Sequence, residues 1–74
     1  MKSIIQFKIS NSDGVYTAEG IDVAIVTEAT SFDALVQNIS EAVALHFDGE
    51  DAAALEFATS RPSILLNYEI PQYA

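Results

Sequence analysis

Ser31-Phe32-Asp33-Ala34-Leu35-Val36-Gln37-Asn38-Ile39-Ser40-Glu41-Ala42-Val43-Ala44-Leu45-His46-Phe47 decides how this chain folds. Apolar residues recur at Phe32, Leu35, Val36, Ile39, Ala42, Val43 and Phe47. That is the i, i+3, i+4, i+7 spacing of a helix lying with one stripe on a core. Asp33, Gln37, Asn38, Ser40, Glu41 and the following Asp48 fall off the stripe. Thr30 or Ser31 can cap the helix, and Asp33 in the first turn suits the positive end of the helix dipole. Gly49 is a natural stop.

The residues before this helix read as strands. In Ile4 to Ser10, Ile5, Phe7 and Ile9 share one face while Gln6 and Lys8 share the other. Asn11-Ser12-Asp13-Gly14 is a turn cluster, with Asp-Gly a strong hairpin signal. Val15 to Glu19 follows as a second strand, with Tyr16 and Ala18 on one face. Gly20-Ile21-Asp22 makes the next turn, and the β-branched run Val23 to Glu28 makes a third strand.

Beyond the helix, Glu50 to Ala58 is rich in alanine and predicts a short second helix packed through Leu55 and Phe57. Arg61-Pro62 breaks it. Ser63 to Ile70 predicts a fourth strand with Ile64, Leu66 and Tyr68 on one face. A strand–helix–strand connection crosses over right-handed, so the last strand is expected beside the first and parallel to it. The expected architecture over residues 1–74 is a single α+β domain, β-β-β-α-(short α)-β. Its mixed four-stranded sheet has order 3-2-1-4, with the helix on one face. The opposite face is mixed and partly polar, with Ile4, Gln6, Lys8, Thr17 and Glu19.

Seventy-four residues with no cysteine and one histidine exclude disulfides and a thiolate or multi-histidine metal site. A chain this short buries only about 60% of the surface its unfolded form exposes, so a partner or a second copy is an expected source of stability. The net charge of −8, from 11 acids against Lys2, Lys8 and Arg61, argues against direct nucleic-acid binding. The acidity either keeps the domain soluble or steers a basic partner to it. Gln6 and Lys8 interrupt the N-terminal apolar residues, so neither a signal peptide nor a membrane span is expected, and a cytoplasmic location is.

Tyr16-Thr17-Ala18, the strand ending Ile25-Val26-Thr27-Glu28, and Ser31 to Val43 together resemble the HicB-type antitoxin domain. That family places a tyrosine and a small residue in its second strand. A threonine-bearing third strand follows, then a helix of the form Ser/Thr-Leu-Glu-Glu-x-Leu-x-Asn-x-x-Glu-Ala. The resemblance covers Ile4 to Asp48, and Pro62 to Glu69 also looks like the last strand of short members. It implies a degenerate ribonuclease H-like core without an active site, acting as neutraliser of a small basic mRNA-cleaving toxin (HicA-like). The family often carries proline between its second and third strands, and Glu19-Gly20-Ile21-Asp22-Val23-Ala24 does not. Complete members carry a DNA-binding module; no basic segment here suggests one.

Six acids, Asp22, Glu28, Glu41, Asp48, Glu50 and Asp51, are the candidate partner-binding residues, each equally readable as a solvated surface acid. No catalytic, cofactor or metal site is expected. The first strand lacks the carboxylate a metal nuclease would need, and Asp48-Gly49-Glu50-Asp51 lacks the ligand spacing of a calcium loop. His46, beside Phe47, reads as a half-buried packing residue. Leu45, Leu65, Tyr68, Ile70 and Tyr73 are candidates for an oligomer interface. Leu65 and Leu66 stand on an expected edge strand, where addition of another strand makes a dimer or a higher homo-oligomer. The alternative to an antitoxin is an orphan homo-oligomeric domain binding another protein or a small ligand.

Overall fold

A computed structural model describes residues 2–70. Strand β1 (Ile4–Ser12) runs into β2 (Val15–Gly20), then β3 (Val26–Ala29), helix α1 (Phe32–Phe47), a single 3-10 turn (Ala52–Leu55) and β4 (Ser63–Tyr68). The sheet order is β3-β2-β1-β4, antiparallel except for the parallel β1–β4 pair. This is the expected α+β order.

Asp13 and Gly14 form the β1–β2 turn on their own. Both are left-handed, with φ of 53° and 81°, as a two-residue hairpin whose twist matches its strands requires. The turn is shorter than the four residues expected. Asn11 and Ser12 therefore join the ladder opposite Tyr16 and Val15.

The third strand is also shorter than expected, and for a different reason. Val23 lies in a tight loop closed by the Gly20 N–H donating to the Ile25 carbonyl at 2.8 Å and the Ile21 N–H donating to the Gln6 carbonyl at 3.0 Å. A Cβ on Gly20 would lie 2.5 Å from the Val23 carbonyl oxygen and 2.6 Å from Val23 Cγ2, so only glycine fits. The loop drops Ile25 into the core. β-branched composition alone cannot distinguish such a loop from a strand.

Ser31 is the helix cap. Its backbone is extended, and its hydroxyl accepts from the Ala34 N–H at 3.1 Å. At the other end Gly49, with φ of 73°, turns the chain away, while the Asp48 and Glu50 N–H groups close on the Leu45 and Phe47 carbonyls. Leu35, Ile39, Val43 and Phe47 are buried. They meet Ile5, Phe7 and Ile9 of β1, Ala18, Ile25 and Phe57 in one core. Phe32, in the first turn, and Val36, beside the buried row, remain exposed.

The expected second helix is only the 3-10 turn. The Asp51 carboxylate accepts from the Ala53 N–H at 3.1 Å, and Glu56, with φ of 66°, reverses the chain. Four residues cannot nucleate an α-helix, and the reversal delivers Phe57 to the core. Lys2 holds it there: its N–H donates to the Glu56 carbonyl at 3.1 Å, and its carbonyl accepts from the Ala58 N–H at 2.6 Å. β4 ends at Tyr68, two residues before the expected boundary.

Candidate functional site

Chain direction sorts the surface acids. Because β1, β3 and β4 run one way and β2 the other, the β2–β3 loop, the start of β1 and the residues entering β4 lie at one end of the sheet. The helix returns from β3 to that same end. Asp22 in the loop and Asp48, Glu50 and Asp51 after the helix therefore share one end of the molecule, all exposed. Glu28, on the face of β3 away from the helix, and Glu41, on the helix surface, stand apart from them.

Two of the three cations, Lys2 and Arg61, lie at this same end. Lys2 Nζ lies 4.0 Å from Asp22 Oδ2, both side chains half exposed, and 5.8 Å from the centre of the Phe57 ring. An exposed pair of this kind contributes at most about 1 kcal/mol. Arg61 and Asp48 border a shallow groove of about 370 Å³, walled by Val43 and Phe47 on the helix and by Pro62 before β4. Among the described residues no three of His, Asp and Glu stand close enough to share a metal ion. His46 is half-buried with its ring edge-on to Phe47 at 5.4 Å.

The interface candidates divide differently. Residues in register share a face of the sheet, so Ile64, Leu66 and Tyr68, opposite Ile5, Phe7 and Ile9, point to the helix side. Leu65, opposite Gln6, points to the other side. Ile70 is exposed just past the strand. Leu45, 73% exposed, sits one heptad from Asn38, whose side-chain amide donates to the Glu28 carbonyl at 3.3 Å. That places Leu45 on the β3 flank of the helix, away from β4. Tyr73 lies outside the described residues. Leu65, Tyr68 and Ile70 thus gather along β4, and Leu45 does not join them.

Three more exposed apolar residues join this surface, two of them, Phe32 and Val36, from the stripe expected on the core. Phe32 lies in the first turn of the helix, Val36 on the side of the helix away from Asn38, and Ile64 on β4; all three are over a third exposed. The Tyr16 ring links helix and strand, edge-on to Phe32 at 5.7 Å and to Tyr68 at 6.1 Å. The available signal was the width of the helix stripe. Val36 lies to one side of the buried row Leu35, Ile39, Val43 and Phe47, while Phe32 heads that row in the first turn, at the end of the helix.

Comparison with protein-family models, with curated proteins and with solved structures finds no match for this chain.

Proposed function

We propose that this protein is a HicB-like antitoxin, or a domain derived from one, that binds and neutralises a small basic mRNA-cleaving toxin of the HicA kind. The observation that carries this reading is the role of the family-like residues in the fold. Ala18 is fully buried against the helix, Ser31 caps that helix, Ala42 packs on the core, and Tyr16 links the helix to the last strand. These are packing and capping positions, and it is their ordered combination within one short domain that supports the reading. The β-β-β-α-β order is also compatible with a degenerate ribonuclease H-like core.

Charge supports the same partner. The net charge of −8, with Asp22, Asp48, Glu50 and Asp51 exposed at one end beside Lys2 and Arg61, speeds encounter with a basic protein and repels phosphate backbones. The role is that of a binding protein rather than an enzyme. We place it in the cytoplasm; no helix among the described residues is long and apolar enough to cross a membrane.

Co-expression with the product of the adjacent short basic reading frame tests the proposal. The expected result is a stable complex and rescue of growth from that product's toxicity. Absence of both, with each protein folded, would discard the antitoxin role. The second reading, an orphan homo-oligomeric domain binding another protein or a small ligand, draws on the exposed apolar surface along β4.

A further inference from the structure

β4 closes one edge of the sheet, and among the described residues no strand pairs with its outer side. The Ser63 N–H donates to the Ser3 carbonyl at 3.0 Å. Peptide groups alternate sides along a strand, so Ser63, Leu65 and Asn67 direct their main-chain groups to β1, while Ile64, Leu66 and Tyr68 direct theirs outward. The side chains on this strand are half exposed on both faces: Ile64 37% and Tyr68 41% on the helix side, Leu65 46% on the other. Ser63–Tyr68 contains no charged residue and no proline, the usual guards of an edge. The opposite edge is different, since β3 has only four residues and carries Glu28.

We infer that the β4 edge is built to receive a second copy of this chain, antiparallel across a two-fold axis at Leu66, in a register that sets Ile64 against Tyr68 of the other copy. Three considerations select this occupant and register. First, on a chain of net charge −8, β4 is a strand on which self-pairing brings no like charges face to face, while a basic partner would find no acid on it. Second, an isologous contact requires that if one residue meets another, the reverse also holds. Preserving the two faces of the sheet then leaves registers centred on a residue rather than between residues. Third, centring on Leu66 makes every outward residue part of a hydrogen-bonded pair, with about six main-chain hydrogen bonds at two per pair. Centring on Leu65 leaves Tyr68 unpaired.

The Leu66 register also resolves the exposure. On the helix side the aromatic ring of Tyr68 covers the Ile64 of the other copy, an aromatic–β-branched pair of the kind that stabilises sheets. On the far side Leu65 faces Asn67. One sheet then runs from β3 to β3 of the pair, with both helices on the same face. This inference is independent of the identity of any basic partner.

The absence of native cysteine makes crosslinking a direct test. Leu65 and Asn67 form a pair without mutual hydrogen bonds, with Cα atoms about 4.5 Å apart, within disulfide reach. The variants L65C and N67C, mixed and mildly oxidised, are expected to give a crosslinked heterodimer, whereas either variant alone gives little. Light scattering of the unmodified chain at high micromolar concentration is expected to read a dimer of the 8.0 kDa chain. Tyr68→Glu is expected to weaken that dimer roughly tenfold or more, with circular dichroism confirming that it folds. A monomer at high concentration would overturn the inference. A dimer with crosslinking in L65C alone, or with no crosslink in the mixture, would overturn the register.

Discussion

Phe47, the last residue of the helix, meets Phe57 edge-on, with ring centroids 5.2 Å apart and planes at 85°. The contact joins two segments separated by the helix stop, the 3-10 turn and the left-handed Glu56. It makes Phe57 the most deeply buried anchor of the connection, with Ala52 and Leu55 packed beside it on the core and Ala53, Ala54 and Glu56 exposed. Truncation of a buried phenylalanine costs about 3–5 kcal/mol. Phe57→Ala is therefore expected to lower unfolding free energy by that order, read as a shift in the urea midpoint. A loss below about 1 kcal/mol would show that the segment 50–58 does not depend on this ring.

Gly20 supports a second prediction. Its φ is unexceptional; its constraint is the Val23 backbone pressed against it. Gly20→Ala should destabilise by about 1–3 kcal/mol, the usual range for forcing extra atoms into a packed site. A thermal melt unchanged from the parent would mean that the loop 21–25 relaxes freely. Gly14→Ala tests a different cause, the left-handed turn with open space around it, and should cost about 1 kcal/mol.

Removing the helix cap isolates one hydrogen bond. Ser31→Ala deletes the acceptor for the Ala34 N–H and is expected to cost about 1 kcal/mol, while Ser31→Asp should retain or slightly raise stability through the helix dipole. Equal loss in both variants would assign the cap elsewhere, with Thr30 the nearest candidate.

Charge at the acidic end concerns encounter rather than folding. Neutralising Asp22, Asp48, Glu50 and Asp51 together, as Asn or Gln, should slow association with the proposed basic partner about tenfold at low salt. The difference should shrink as salt is raised. Stopped-flow association rates report this directly, with Glu28→Gln plus Glu41→Gln as the weaker comparison. Indistinguishable rates in the two sets would remove any special role for the cluster.

The legible parts of this fold were those with strong local periodicity. The helix, the alternation Ile5, Phe7, Ile9, and the Asp13-Gly14 turn all signal their state within a few residues, and the sheet order followed from connection rules. The illegible parts depended on distant partners. Val23 is strand-like by composition, yet the closure of Gly20 on Ile25 makes it loop. Ala52 to Leu55 favours helix, yet the docking of Phe57 leaves room for only one turn. The candidate sites behaved likewise. Sequence selected Asp22 and Asp48 to Asp51 one by one, but only chain direction gathers them. Leu45 and Tyr68 are both exposed apolar residues, and only the helix flank, fixed by Asn38, separates them.

The parallel pairing of β1 with β4 joins the first strand to the last, Ile4 opposite Ser63. As the chain is synthesised, β1 has one neighbour early, through the adjacent hairpin, but its other side waits until β2, β3, the helix and β4 have all emerged. Until then the row Ile5, Phe7, Ile9 borders a naked edge. The domain therefore completes its sheet only after translation of the last strand. Any message cut short before the codons for Ser63 to Tyr68 would yield a product with an open β1 edge, prone to capture by proteases or by its neighbours.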